Sequence, residues 1–256
     1  MKALCLGLVL LVCFFWGFTA EAQGPVVVEL FTSEGCSSCP PADALLVQLS
    51  KMKAPNGAEL IVLGEHVDYW NYIGWTDRFS SDIFTNRQQH YADHFRLASP
   101  YTPQMVIDGI IQFVGNDKDK VSHAILQESQ NPRPATISLQ LEGEKAVHIT
   151  AHLAGVKKAH VFVAITEDGL TTNVARGENS GRTLRHAGVV RNLNSIGEIR
   201  DGEFDKTIKV PIEQDWNAAN LKVVAWVQEA AYGPILGAAS IPLTQPRQAA
   251  ANISPR

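Results

Sequence analysis

Short apolar runs alternate with segments of helical spacing over the first half of the chain. The β-branched run at 26–31 predicts a buried strand. A helix is predicted over 39–52, because apolar side chains recur there at helical intervals. A second apolar strand at 60–63 and a second helix, from a cap at Asp77 to about 96, are predicted next.

The remainder of this half predicts a hairpin and one more helix. Asp108-Gly109 stands between two apolar runs, which is typical of two antiparallel strands joined by a tight turn. A helix is predicted over 118–129. The predicted order of elements through this half is therefore β-α-β-α-β-β-α.

The pattern changes after the Pro-containing segment 131–134. Strand-like alternation takes over, and Glu-Gly and Asp-Gly pairs supply turn signals, which together predict an antiparallel sandwich. We therefore expect an α/β domain at 24–131, an all-β sandwich-like domain at 134–243 and a loose tail at 244–256. The predicted strand segments of the second domain are 135–141, 146–153, 160–166, 206–210 and 221–228.

The N-terminus has the pattern of a signal peptide. Lys2 precedes an apolar stretch at 4–18, and Ala20-Glu21-Ala22 follows as a small-x-small cleavage site. We expect a signal peptide at 1–22 and an exported protein, periplasmic or extracellular. The apolar stretch is shorter than the roughly 20 residues of a membrane span, so we expect no span in the mature chain. The alternative is an uncleaved N-terminal anchor.

Composition and cysteine count narrow the classes of function. The chain has 256 residues and a formal charge of -4, without the basic excess of a nucleic-acid-binding protein. Cys5 and Cys13 leave with the signal peptide, so the mature chain retains only Cys36 and Cys39. One close pair makes no disulfide framework for an exported fold. The pair is therefore either a reactive site or a local bridge.

The two remaining cysteines lie where a predicted strand leads into a predicted helix. Free N–H groups at a helix N-terminus favour thiolate over thiol, so we expect the pKa of Cys36 to lie below the free value of about 8.5. A thiolate beside a second thiol can exchange disulfides. The same Cys-x-x-Cys spacing occurs in zinc sites, and soft thiolates also bind copper(I). With three methionines and no Met- or His-rich tract, copper binding is the weaker interpretation, and we assign neither a metal nor a cofactor.

The order of elements, with Cys-x-x-Cys opening the first helix and Thr-Pro just before the hairpin, resembles the thioredoxin fold over residues 24–130. The resemblance implies that Cys36 is the exposed nucleophile and Cys39 the buried resolving cysteine. It also implies a cis peptide bond at Pro103 and a Thr102 backbone that pairs with an extended substrate. The implied partners are protein or small-molecule thiols and disulfides, together with an unidentified partner that recycles the pair.

Glu29 interrupts an otherwise apolar predicted strand. In thioredoxins a buried acid near this place relays a proton to the resolving cysteine, which makes Glu29 a candidate catalytic residue by resemblance. The alternative is that Glu29 faces a loop or a partner charge.

Two polar segments outside the cysteine motif are also candidates. His66, Asp68, Tyr69 and Trp70 follow the second predicted strand, and we expect them to line a substrate groove beside Cys36. The alternative is a packed aromatic loop with a hydrogen-bonded His66. The polar segment 176–186 either closes over the same groove or only connects two strands of the sandwich.

Three strings of residues, 29–43, 66–70 and 101–109, resemble a secreted bacterial thioredoxin-like family of unassigned function that carries a β-rich C-terminal part. The resemblance implies export and the fold, but no substrate. Three functions remain open: an exported thiol-disulfide oxidoreductase, a metal-binding protein using the same thiolates, and a non-catalytic binding module with a permanent bridge.

Overall fold

A computed structural model describes residues 24–143, 145–155 and 158–244. The predicted signal peptide at 1–22 and nearly all of the predicted tail at 244–256 lie outside these ranges. Among the residues inside them, no helix has the length and apolar character that crossing a membrane requires.

The first half contains seven elements in the predicted order. Several bounds differ from the prediction, and the first helix ends three residues earlier than expected, at Leu49. The second strand continues to His66, and the second helix begins at Asp82, because Ser81 caps it by accepting a hydrogen bond from Ile83 N while Asp77 turns the preceding loop. The elements are β1 (Val26–Thr32), α1 (Pro40–Leu49), β2 (Leu60–His66), α2 (Asp82–His94), β3 (Gln104–Ile107), β4 (Ile111–Val114) and α3 (Lys118–Ser129).

The predicted hairpin joins β3 to β4. Asp108 and Gly109 both have left-handed backbone angles, with φ of 49° and 68°. A tight turn of this kind needs residues that tolerate positive φ, which is why Asp-Gly identified it in the sequence.

Within its described residues, the second half consists of strands and two short 3-10 turns. Four of the five predicted strand segments fall within observed strands and the fifth, 206–210, overlaps β11, but β8, β9, β10 and β13 were not predicted. Two bulges interrupt the pairing of β10 with β7, which removes the regular alternation that would have identified β10. The strands are β5 (Ala135–Glu142), β6 (Ala146–Leu153), β7 (Ala159–Glu167), β8 (Leu170–Asn173), β9 (Thr183–His186), β10 (Val189–Ile199), β11 (Glu203–Lys209), β12 (Leu221–Glu229) and β13 (Ile235–Pro242).

One mixed sheet of eight strands runs through both halves of the chain, in the order β13-β12-β7-β10-β2-β1-β3-β4. Strand β2 is parallel to β1 and to β10, and the other neighbours are antiparallel. The two halves meet where Val189 pairs with Gly64. The chain is therefore mostly β, with a large mixed sheet and few helices, and its division into two independent domains stays a prediction.

Helices cover both faces of the sheet around β1. Val28 and Leu30 face the cluster formed by α1 and α3, whereas Val27 faces the cluster that includes Phe84 of α2. Successive side chains of a strand point to opposite faces, so this alternation assigns each residue of β1 to one helix layer. Glu29, between Val28 and Leu30, is thereby placed on the α2 face.

A second, three-stranded sheet in the order β11-β6-β5 lies against the outer strands of the large sheet. Val147 and Ile149 of β6 pack with Val163 of β7 and Val223 of β12 in one buried cluster. The small hairpin of β8 and β9 lies apart from both sheets, with β9 beside α1. This hairpin brings a part of the C-terminal half to the helix that carries the cysteines.

Candidate functional site

Cys36 and Cys39 form a disulfide at the start of α1, with their Cα atoms 5.4 Å apart. Cys39 is the N-cap residue, and Pro40 and Pro41 follow in the first turn, where a missing N–H is tolerated. Both cysteines are 0% exposed, which corrects the expectation of an exposed Cys36. Trp70 lies so close that a Cβ on Gly35 would be 3.2 Å from its Cβ and its carbonyl oxygen.

The Thr102–Pro103 peptide bond is cis, as predicted, and precedes β3. Trp70 Nε1 donates a 2.8 Å hydrogen bond to Thr102 Oγ1. Among the described residues, no hydrogen bond uses the backbone N–H or C=O of Thr102. Trp70 thus connects the turn before the disulfide to the segment that contains the cis bond, and the Thr102 backbone is free to pair.

Tyr69 and Asp68 bond to α2 and its surroundings instead of the cysteines. Tyr69 donates to Gln88 Oε1 at 3.0 Å, and burial raises the pKa of the Tyr69 phenol to about 12. Thr85 Oγ1 donates to the Asp68 carboxylate at 2.6 Å. The structure therefore assigns Asp68 to positioning the loop on α2, while the Tyr69 ring lies beside that of Trp70, with the ring centroids 6.4 Å apart.

Glu29 lies on the sheet face opposite to α1, in contact with α2. Its carboxylate accepts hydrogen bonds from Arg87 Nε and from Tyr91 OH, each 2.7 Å long. Arg87 also donates to Gln228 of β12 at 3.1 Å. Glu29 has a partner charge, the alternative that the sequence left open, and the structure does not bring it to the sulfur pair.

A buried polar network, which the sequence did not identify, lies beside the cysteines on the α1 side. Thr32 Oγ1 donates to Asp43 Oδ1 at 2.9 Å, and Asp43 follows Cys39 by one helical turn. His66 Nδ1 lies 2.7 Å from Asp77 Oδ2, and the same oxygen accepts from Glu34 N at 2.8 Å. His66 is therefore part of a fixed hydrogen-bonded pair with Asp77.

Glu34 extends this network toward the C-terminal half. Its Oε2 accepts a 2.8 Å hydrogen bond from Trp75 Nε1, and its Oε1 lies 3.3 Å from Nε2 of His186 at the end of β9. The side chains of Glu34 and His186 are both buried. The described residues nevertheless contain no group of three or more His, Cys, Asp or Glu side chains arranged to hold a metal ion.

Burial and the charges in this network shift the pKa values of its ionisable side chains. Burial raises the pKa of Asp43 above its ordinary value, although His186 and His66 partly oppose the shift. For His66, burial favours the neutral ring, but the charge and hydrogen bond of Asp77 outweigh burial and raise the pKa. Burial likewise opposes ionisation of Asp77, and His66 overcomes it and lowers the Asp77 pKa. The site thus combines a buried carboxyl of raised pKa with a hydrogen-bonded His66–Asp77 pair.

The loop at 174–182, which joins β8 to β9, reaches the cysteine turn. Asn179 Nδ2 donates to the carbonyl oxygens of Glu34 and Cys36, both at 2.9 Å. Glu178 Oε2 accepts from Ser37 N at 3.2 Å. Of the two interpretations of the polar segment 176–186, the structure favours the one in which it closes over the cysteines.

The sequence contains a signal for only some of the site residues that the sequence analysis did not identify. Asp43 lies on the stripe 39, 42, 43 and 46 of α1, so a charged residue in that buried stripe was visible. Glu34, Asp77 and His186 offer no such pattern, because they lie in turns or at the end of an unpredicted strand. Asn179 was visible only as part of a polar loop.

Comparison with known proteins identifies relatives. A family model described as "Protein of unknown function (DUF1223)" matches residues 27–228. A crystal structure of a structural-genomics target from Agrobacterium tumefaciens is 28% identical, with a TM-score of 0.69, over 87% of this chain and 96% of that one. No curated protein matches the chain.

A more distant match is a domain of the outer membrane lipoprotein Omp28 from Porphyromonas gingivalis. It is 14% identical, with a TM-score of 0.28, over 42% of this chain and 84% of that one. A similarity of that size supports no conclusion about fold or function. The family model, in contrast, spans most of the described residues, and the chain belongs to the DUF1223 family.

Proposed function

We propose that the protein is an exported thiol-disulfide oxidoreductase that uses the Cys36–Cys39 pair. The observation that carries the proposal is the disulfide at the N-terminus of α1 together with the cis Thr102–Pro103 bond, which Trp70 connects to the same turn. A disulfide at a helix start can be reduced to a thiolate that the helix N–H groups stabilise.

The arrangement around β1 supports a thioredoxin-like interpretation of the first half. Strand β1 is parallel to β2 and antiparallel to β3, and β4 is antiparallel to β3. Helices α1 and α3 cover one face and α2 covers the other. The continuous sheet that extends to β13 is added to this unit at the edge of β2.

In the reducing direction, the Cys36 thiolate attacks one sulfur of a substrate disulfide. The substrate S–S bond breaks, and the released substrate thiolate takes up a proton. Deprotonated Cys39 then attacks Cys36 Sγ, which breaks the mixed disulfide, releases the second substrate thiolate and restores the Cys36–Cys39 bond. The oxidising direction is the same sequence in reverse.

We assign to Asp43 the role of accepting the Cys39 proton. It lies one turn after Cys39, and its N–H donates to the Cys39 carbonyl at 3.1 Å. Its Oδ2 makes no hydrogen bond among the described residues, and burial raises its pKa. A general base works best with a pKa near the operating pH, so the raised pKa suits this role better than an ordinary carboxylate would.

The free backbone of Thr102 and the ring of Trp70 form the groove that we propose for the substrate. An extended peptide could pair with the Thr102 N–H and C=O as an added strand. The substrates would be thiols or disulfides of proteins or small molecules, and a second protein would recycle the pair. Export would place the protein in an oxidising compartment, where such chemistry is used.

Insulin reduction by the mature protein tests the proposal, with Cys36→Ser as the control variant. We expect turnover by the wild type and none above background by Cys36→Ser. Equal rates for the two proteins would exclude catalysis by this thiol. A reduction potential below about -300 mV would instead indicate a permanent structural bridge. Stoichiometric copper(I) retention without exchange activity would favour a metal-binding function.

A further inference from the structure

The 174–182 loop makes hydrogen bonds to backbone groups of the cysteine turn, including one N–H that a Cys36 thiolate would need after reduction. Asn179 is 0% exposed and bonds two carbonyl groups of the turn, those of Glu34 and Cys36. Glu178 puts a carboxylate on the N–H of Ser37, the residue that follows Cys36. Three hydrogen bonds therefore attach a loop of the C-terminal half to the four residues that begin at Glu34.

The oxidation state of Cys36 decides whether the Glu178 contact is favourable. The disulfide carries no charge, so the Glu178 carboxylate is free to accept from Ser37 N–H. A thiolate on Cys36 is a second anion next to the same N–H group. Two like charges beside the same N–H group repel each other, and both need it as a donor. After reduction, the Cys36 thiolate and the Glu178 carboxylate therefore compete for the Ser37 N–H group.

The loop is built to respond to that competition. It joins β8 and β9, which form a separate two-stranded sheet without ladder hydrogen bonds to the large sheet. The side chains of Arg176, Glu178 and Arg182 are exposed, so the buried side chains that opening the loop must move are those of Val174 and Asn179. Segments with few buried apolar contacts open at low free-energy cost.

We propose that the 174–182 loop is a redox-controlled latch, closed over the Cys36–Cys39 disulfide and released when Cys36 becomes a thiolate. The inference rests on the proposed function, because it needs a pair that is reduced in use. A dithiol supplies two electrons and two protons and becomes a disulfide, while the Cys36–Cys39 bond breaks to give two thiols. Cys36 then loses a proton to solvent, and the resulting charge displaces Glu178. The reduced site is open to substrate, and the oxidised site is covered.

Hydrogen exchange of the backbone amides tests the latch on the mature protein, oxidised or held reduced by dithiothreitol at about pH 8. We expect amides of 174–182 to exchange roughly tenfold faster in the reduced protein, since exchange follows local opening. In Glu178→Gln an amide oxygen can still accept from Ser37 N–H, but the negative charge is gone. The difference between oxidised and reduced protein should then fall below about twofold. Glu203→Gln on β11 removes an exposed carboxylate elsewhere and should retain the full difference.

The double variant Cys36→Ser/Cys39→Ser separates charge from the loss of the covalent bond. It has neither disulfide nor thiolate, so we expect its loop to exchange as slowly as in the oxidised wild type. Exchange as fast as in the reduced wild type would overturn the latch, as would equal exchange in the two oxidation states. Insulin reduction is measured on the same wild-type sample. Turnover without a change in exchange rejects the latch alone, and absent turnover rejects the proposed function.

Discussion

Thr32, the last residue of β1, donates a 2.9 Å hydrogen bond to Asp43 in the first turn of α1. The bond holds one oxygen of a buried carboxyl, and the other oxygen has no partner among the described residues. Asp43 lies on the same stripe of α1 as Cys39. In the proposed mechanism, the acid that a thioredoxin takes from the neighbouring strand comes instead from the helix that carries the cysteines.

Asp43→Asn should slow the step in which Cys39 attacks the mixed disulfide. An amide cannot accept the Cys39 proton, so we expect insulin reduction at neutral pH to fall roughly a hundredfold, the lower end of the range of general-base effects. The alkylation rate of Cys36 should change little. Thr32→Val serves as a control, because it removes the hydrogen bond and retains the carboxyl. A full rate in folded Asp43→Asn would exclude the role.

Cys39→Ser should accumulate a covalent complex with a disulfide substrate. Cys36 can still attack, but no second thiol resolves the mixed disulfide, so the complex persists. Non-reducing electrophoresis and intact mass should detect one substrate adduct per chain. Cys36→Ser should give none, because in the proposed mechanism Cys36 is the nucleophile and Cys39 attacks only the mixed disulfide. An equal yield of adduct from both variants would show that the assignment of Cys36 as the nucleophile is wrong.

The elements up to α3 could be predicted from the sequence because their signals are local. Apolar spacing located α1, and Asp108-Gly109 located the hairpin. The insertion of β10 beside β2 left no such signal, since it depends on one ladder position between Val189 and Gly64. The contribution of the C-terminal half to the site depends on this long-range pairing.

The site residues divide in the same way, into those with a local sequence signal and those brought in by tertiary contacts. Cys36 and Cys39 were visible as a motif, and Pro103 was visible through a resemblance. Glu29 was assigned by analogy in sequence position, but strand alternation turns it toward α2. Asn179 reaches the cysteines only because β8 and β9 fold back beside α1, a tertiary contact that no local pattern contains.

Trp70→Phe should weaken substrate binding more than it changes the chemical step. The substitution retains an aromatic ring but removes the 2.8 Å bond to Thr102 Oγ1, and a net hydrogen bond contributes about 0.5–1.5 kcal/mol. We expect KM for a peptide disulfide to rise roughly two- to tenfold, with kcat nearly unchanged. Trp216→Phe is the matched control, because Trp216 packs with the other sheet. A selective loss of kcat would contradict a role in positioning Thr102.

Gly188→Ala should destabilise the protein at the junction of its two halves. Gly188 has a φ of 59°, and its carbonyl accepts from Gly64 N at 2.7 Å. An added Cβ would lie 2.2 Å from Val62 O, so the backbone of β2 or β10 must move. We expect a loss of at least about 2 kcal/mol in unfolding free energy, measured by urea denaturation.

Gly57→Ala is the control for Gly188→Ala. Gly57 also has positive φ, at 86°, but a Cβ there would meet nothing within 4 Å. It should cost only about 1 kcal/mol, from backbone conformation alone. Equal losses for the two variants would show that the close approach to Val62 does not matter.

Glu65 on β2 gives the fold a dependence on pH that a glutamine should remove. It is buried beside Glu29 and Arg87, and its carboxyl oxygens make no hydrogen bonds among the described residues. Burial raises the pKa of Glu65 well above 4.5; Arg87 opposes this shift, and the charge of Glu29 adds to it. The folded protein therefore retains a proton that the unfolded chain releases above about pH 4.5.

Stability from this group is full below the unfolded pKa and falls as pH rises toward the folded pKa, by up to about 1.4 kcal/mol per pH unit. Glu65→Gln has no proton to lose at this position. As pH rises, the wild type should therefore lose unfolding free energy relative to the variant. Urea denaturation of both proteins across this range measures the difference. Glu142→Gln, at a half-exposed carboxylate, is the control for removing a carboxylate elsewhere. A Glu65→Gln difference that does not change with pH would mean that Glu65 is ionised in the folded protein.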